Sequence, residues 1–288
     1  MRGPEDRIIR NIDSNRKVES VRFLQDPKNL DRAFDEAQKY LDESAINPAS
    51  FEDVFSPKMI AEHTRYVEKM QDKFSKEHES EKRGPIFEAA VLESIKRGDM
   101  FGRNSIVFKT APYDDIAHKV DFVLERSGAP TGIAVDASTS ERATIRKIED
   151  LASEIKEGKL TEIQYFQTPN FKGRALNVPR VVLGVERDTA LELDELWYGI
   201  RQGTKPASTL KQSPVRGIFI HEMLMQLKVF SAYALRNGNK IAAEAYQRSL
   251  SIVQDAVTAA KEDNVHISFT HPTDKVHLAI LNSLAELK

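Results

Sequence analysis

Apolar residues in the first 83 positions recur at helical spacing. They do so from Leu30 to Leu41, and again from Pro57 to about Lys82, where Met59, Ile60, His63, Val67, Met70 and Phe74 share one stripe of a heavily charged helix. That stripe is expected to pack against the body of the protein. After Gly84 the pattern changes. Pro85 in the first turn and Gly98 past the end mark a helix over 84–97. Three strand-like runs follow, Ser105–Thr110, His118–Glu125 and Thr131–Ser138, separated by the turn-rich pieces Ala-Pro-Tyr-Asp-Asp and Ser-Gly-Ala-Pro. A helix over Glu141–Glu157 closes at Gly158, and two more strands follow, Leu160–Gln167 and Arg180–Val185. The last third reads as helical: Thr189–Arg201 capped by Asp188, then Pro214–Arg236, then Lys240–Glu262 running back antiparallel. A short β-like piece, Val265–Phe269, precedes a final helix from Pro272, and Gly203–Pro214 is expected to be a mobile loop.

The pattern predicts an α/β protein with an αβββαβ core sheet and one added strand. A helical N-terminal region (1–83) and a helical C-terminal region (202–288), packed on the core, flank an α/β core at 84–201.

Composition narrows the chemistry. At 288 residues burial is not limiting, and the absence of cysteine removes disulfides, thiolate zinc sites and cysteine nucleophiles together. It fits a reducing compartment, and the cytoplasm is the expected location. The charged N-terminus has no signal-like apolar stretch, and no apolar run reaches membrane-spanning length. The net charge of −2, from 42 basic and 44 acidic residues, neither favours nor excludes a polyanionic partner. A homodimer is compatible with the sequence. His221-Glu222 lacks the second histidine of a zinc helix, since Met225 stands there, and no phosphate-binding glycine loop is present.

Three carboxylates stand out. At ~100° per residue, Glu88 falls inside the apolar arc of helix 84–97, formed by Phe87, Val91, Leu92 and Ile95. A carboxylate buried there needs a cation or a basic neighbour. Along the second and third strands, Asp121 shares a face with Val123, and Asp136 with Ala134 and Ser138. A turn centred on Gly128-Ala129 sets Asp121 opposite Asp136, whereas a one-residue slip sends one of them to the other face. Two such charges ~5 Å apart repel by roughly 3 kcal/mol at an effective dielectric near 20. A divalent cation with oxygen ligands, Mg²⁺ or Mn²⁺, turns that repulsion into coordination.

In this arrangement the chain resembles the PD-(D/E)XK, restriction-endonuclease-like, nucleases over about residues 84–167. Glu88 on the first helix, Asp121 on the second strand and Asp136 on the third match the family's acids in type, order and element. The resemblance implies a Mg²⁺-dependent nuclease that hydrolyses phosphodiester bonds, with nucleic acid as partner, DNA in preference to RNA. Asp121 and Asp136 would hold the metal and Glu88 would complete the site. The family's lysine, two residues after the last acid, is replaced by Ser138, which is expected to open the next helix with Glu141 as a capping box. Lys147, at the edge of the helix's inward stripe of Ile145, Ile148, Leu151, Ala152 and Ile155, is the expected replacement. Lys119 is its alternative, and each lysine alone also reads as a solvated surface charge.

Asp114 and Asp115 add a ligand or form an Asx turn. Lys109, Lys119, Arg103 and Arg142 are expected on the rim, and Arg7, Arg10, Arg16, Lys17 and Arg22 on a basic arm that could meet phosphate. The alternative is a nuclease-like fold without catalysis that binds nucleic acid or a protein.

Overall fold

Asp26 accepts hydrogen bonds from the main-chain N–H groups of Lys28 and Asn29, and with Pro27 in the first turn it starts helix α1, Pro27–Ser44. Leu30, Ala33, Ala37, Tyr40 and Leu41 form its buried stripe. The computed structural model describes residues 23–74, 82–102, 104–126, 132–168, 171–263 and 273–288. The basic arm, Arg103, the turn at Gly128-Ala129 and Val265–Phe269 lie outside them.

Helix α2, Pro57–Phe74, departs from its expected packing. Ile60 is buried against Phe51, Ala111 and Tyr165, but Val67 and Met70 are only half-buried and Met59 is exposed. The helix docks through its first turns, where His63 Nδ1 lies 2.9 Å from Tyr165 Oη. Helix α3, Arg83–Arg97, is buried from Ile86 to Ile95 except at Glu88, which is half-buried.

The remaining elements are β1 (Ser105–Lys109), α4 (Pro112–His118), β2 (Phe122–Arg126), β3 (Gly132–Ser138), α5 (Glu141–Lys156), β4 (Thr161–Thr168), β5 (Phe171–Val178), β6 (Arg180–Gly184), α6 (Arg187–Arg201), α7 (Pro214–Arg236), α8 (Lys240–Glu262) and α9 (Lys275–Glu286). The chain is a mixed α/β protein around a four-stranded sheet in the order β1-β2-β3-β6. The first three strands are antiparallel neighbours, and β6 lies parallel to β3 after the α5 crossover.

Several boundaries correct the sequence expectations. The fourth core strand is β6, whose five residues are all buried, as an apolar run in parallel pairing should be. The run at Leu160–Gln167 instead forms β4, which pairs antiparallel with β5 in a separate hairpin. The β5 sequence, Phe-Lys-Gly-Arg-Ala-Leu-Asn-Val, has no apolar alternation, because its only fully buried residue is Gly173. The second strand starts at Phe122 because the Pro-Tyr-Asp-Asp piece is helical and opens α4. Ser140, not Ser138, caps α5 by accepting from Ala143 N–H, so the expected capping box is shifted by two residues. Glu186, not Asp188, precedes α6. The expected mobile loop carries a 3₁₀ turn, Ala207–Gln212, anchored by buried Leu210.

The sheet is covered on both faces. Phe122, Leu124, Ile133 and Val135 join the main core, which runs from Leu24 to Leu284 through all three predicted regions. Val123 and Ala134 face the hairpin through Ile163 and Phe166. The free edge of β6 is closed by side chains from α7: Gln226 bonds both N–H and C=O of Val182 (2.8 and 2.6 Å), and Glu222 accepts from Gly184 N–H (2.9 Å). Among the described residues no helix is long and apolar enough to cross a membrane.

Candidate functional site

The β2–β3 register pairs Phe122 with Val135. One further step along the ladder sets Asp121 opposite Asp136, which is the placement the alternation predicts. Asp121 is fixed there by its own backbone: its N–H donates to Val135 O (2.9 Å), and its carbonyl accepts from Thr110 N–H and Oγ. Its Oδ2 accepts from Ala137 N–H at 2.6 Å, which holds the carboxylate across the strand pair. Lys119, in the left-handed region at φ 57°, ends α4 and turns the chain toward Asp121.

Asp136 is buried at the fifth residue of β3, and Lys147 reaches it from α5. The Lys147 ammonium bonds Asp136 Oδ1 and also donates to Ala137 O at 3.0 Å. Its stem crosses the edge of the helix's buried stripe, as a snorkelling lysine does. Lys119 takes a different place. It pairs with Asp150 at 2.9 Å in an exposed salt bridge on the margin of the cleft.

Glu88 finds its cation within the chain. Lys109 Nζ lies 2.6 Å from Glu88 Oε1 and 2.7 Å from Asp115 Oδ2, with its side chain only 6% exposed. Lys109 is therefore central to the site, correcting its expected place on the rim. The chain alternation in β1 turns Val107 and Lys109 to the same side, and Val107 belongs to the main core. Arg142 is exposed at the start of α5.

The two neighbouring aspartates divide their roles. Asp114 is fully buried and accepts from Gln164 N–H (2.6 Å) and Tyr165 N–H (3.0 Å), with His118 Nδ1 at 2.8 Å, so it fastens α4 to β4. Asp115, one residue on, turns toward Glu88 and Asp121. Glu88, Asp115 and Asp121 each place one carboxylate oxygen within 4.8 Å of the others, a set that can hold a metal ion. The set shares Glu88 and Asp121 with the expected trio and adds Asp115, while Asp136 pairs with Lys147.

Glu88, Asp115, Asp121 and Asp136 line a cleft of about 380 Å³, bounded by Gly84 and Pro85 at the start of α3, by Ala137–Thr139, and by Lys119 and Lys147. Lys109 reaches Glu88 and Asp115 from β1, outside this lining. Burial pushes Glu88 up from the usual carboxylate range; Lys109 opposes this, and Asp115 and Asp136 add to it. Burial, then Glu88, Asp115 and Asp136, raise Asp121 further still. Burial likewise raises Asp136, against the pull of Lys147. For Lys109, burial alone would lower the ammonium, but Glu88, Asp115 and Asp121 outweigh it and hold it above its ordinary value. Four carboxylates face two ammonium groups, a formal excess of two negative charges.

The donor set suits a hard divalent cation: every candidate ligand is a carboxylate oxygen. Glu88 Oε1 is buried and held by the Lys109 ammonium at 2.6 Å, so a cation bound there shares this carboxylate with the lysine. Ser138, two residues after Asp136, is buried at the end of β3 and interacts weakly with Ser140 at 3.4 Å. No family model, curated protein or solved structure matches this chain, so its functional reading starts from the chemistry of this cleft.

Proposed function

We propose that this chain is a Mg²⁺- or Mn²⁺-dependent phosphodiesterase of the PD-(D/E)XK type, acting on nucleic acid and on DNA in preference to RNA. The observation that carries the reading is the contact between Lys147 and Asp136. It supplies from α5 the ammonium group that Ser138 does not supply from β3. The order of elements supports it too: a helix bearing Glu88, three antiparallel strands, a crossover helix and a parallel strand.

In this reading Glu88, Asp115 and Asp121 hold the cation. A bound divalent ion lowers the pKa of a coordinated water and offsets charge on the phosphoryl oxygens. Lys147 has three N–H donors, two of which go to Asp136 and Ala137, leaving one directed to the attacking water or a phosphate oxygen. Asp136 orients that ammonium, and Lys119 on the margin meets the flanking phosphate by releasing Asp150.

Calorimetry with Mn²⁺ is the first test: wild type binds and Asp121→Asn does not. Linear, circular and single-stranded DNA and RNA are then offered with Mg²⁺, and Lys147→Ala retains the ion but loses cleavage. Absence of Mn²⁺ binding by wild type sinks the reading. Binding without cleavage of any of the four substrates replaces it with a nuclease-like binding module.

A further inference from the structure

Lys109 distinguishes this site from a cluster of acids that simply waits for metal. Its ammonium lies between Glu88 Oε1 and Asp115 Oδ2, within 2.7 Å of each, on a buried strand-borne side chain. That is the bridging position a second divalent ion would need in a two-ion centre, where ions sit ~3.5–4 Å apart and share carboxylates. We infer that Lys109 is a built-in counter-cation that occupies one of the two cation positions of the cleft, so that the site takes a single divalent ion. This rests on the metal-site reading above and adds the number of ions and the residue that sets it.

Charge balance leads to the same count. With Glu88, Asp115, Asp121 and Asp136 ionised and Lys109 and Lys147 charged, one divalent ion brings the cleft to neutrality. A second would leave two uncompensated positive charges among groups that are buried or half-buried, which desolvation opposes. Geometry adds to this. Lys109 is held from behind by its strand: Val107, two residues before it, is fixed in the core, and the Lys109 carbonyl accepts from Ile46 N–H at 3.3 Å. The backbone that carries the ammonium is therefore fixed, and the ion pairs to Glu88 and Asp115 hold the ammonium itself in place. Lys109 is a positioning residue in this scheme: it orients Glu88 and Asp115 toward the single ion and touches no substrate.

The test counts Mn²⁺ ions in the full chain by calorimetry, with electron paramagnetic resonance to distinguish an isolated ion from a spin-coupled pair. Wild type and Lys109→Arg should bind one ion with an uncoupled spectrum, and Lys109→Met should bind two. Two ions in wild type, or one in Lys109→Met, overturns the inference while leaving the metal site intact. No binding by wild type overturns the metal-site reading and this inference together. If Lys109→Met is unfolded without metal, Mn²⁺ is titrated while circular dichroism follows refolding. Refolding at two equivalents supports the substitution of ion for ammonium, and failure to refold at millimolar Mn²⁺ overturns it.

Discussion

Lys147 on helix α5 and Asp136 on strand β3 are joined by a direct ion pair at the floor of the cleft, and the Ala137 carbonyl holds the same ammonium at 3.0 Å. Asp136 is 7% exposed at its side chain and Lys147 27%, so most of the pair's surroundings are protein. Removing the lysine leaves a buried carboxylate without its cation.

Lys147→Met should therefore lower stability by about 2 kcal/mol at pH 8, less than for a fully buried pair because the ammonium is partly solvated. Asp136 already titrates above the usual carboxylate range through burial, and loss of Lys147 raises it further. A raised folded pKa means that the fold binds the proton more tightly than the unfolded chain, so the penalty is present at high pH and fades as pH falls through that value. Urea unfolding at pH 5 and pH 8 measures the difference. Adding Asp136→Asn should restore most of the loss, and an equal penalty at both pH values contradicts this account.

Much of this site was legible in the sequence, for reasons specific to each residue. Alternation sets Asp121 opposite Asp136 only with the turn centred on Gly128-Ala129, a register the structure supplies, and helical periodicity puts Lys147 at the inner edge of α5. Lys109 was harder. Strand β1 is covered on both sides, with Phe108 toward the hairpin and Val107 toward the main core, so alternation alone does not say which side a lysine enters. Asp115 was hidden by its context: Pro-Tyr-Asp-Asp satisfies turn rules, although proline in the first turn followed by acids is also a helix start. The hairpin partner β5 was missed because it is mostly exposed, and an exposed strand has no apolar period to read.

Asp121 illustrates how a cluster of carboxylates stores instability. Burial and three like charges raise its pKa well above normal, so ionising it in the metal-free fold is costly. Stability from this group is greatest at low pH and is lost as pH rises. Asp121→Asn removes that cost while its side-chain oxygen still accepts from Ala137 N–H. The metal-free variant should be more stable than wild type by roughly 1 kcal/mol at pH 8, with the gap closing toward pH 4. Mn²⁺ should raise the melting temperature of wild type and leave the variant unchanged. A variant less stable than wild type at pH 8 contradicts the repulsion argument.

Gln226 is expected to matter for stability and not for metal binding. Its amide bonds both polar groups of Val182 on the free edge of β6, and Gln226 and Val182 are completely buried. Gln226→Leu leaves an N–H and a C=O without partners in the interior, each costing about 1–3 kcal/mol when unsatisfied. A loss of roughly 2–4 kcal/mol with unchanged denaturant dependence should appear in urea melts, and Mn²⁺ stoichiometry should stay at the wild-type value. A loss below about 1 kcal/mol means that the strand edge finds other partners.

The buried pair Glu222–His277 should make stability depend on pH in a way that one substitution reverses. His277 Nδ1 lies 2.9 Å from Glu222 Oε1, and both side chains are essentially inaccessible. Burial pushes Glu222 well above its ordinary 4.5 and His277 below its ordinary 6.5, so the folded pair holds one proton wherever it resides. Between those two values the unfolded pair also holds one proton, and the pair contributes no slope. Above 6.5 the unfolded pair holds none, so stability falls as pH rises, by up to ~1.4 kcal/mol per pH unit for one proton. In Glu222→Gln the folded site holds no proton. Stability is then complete above the ordinary histidine value and is lost as pH falls through it. The variant's stability relative to wild type should thus climb with pH from 5 to 8 by nearly one proton's worth of slope. Denaturant melts at half-unit intervals measure it, and a flat or falling difference would mean that the two groups do not share a proton.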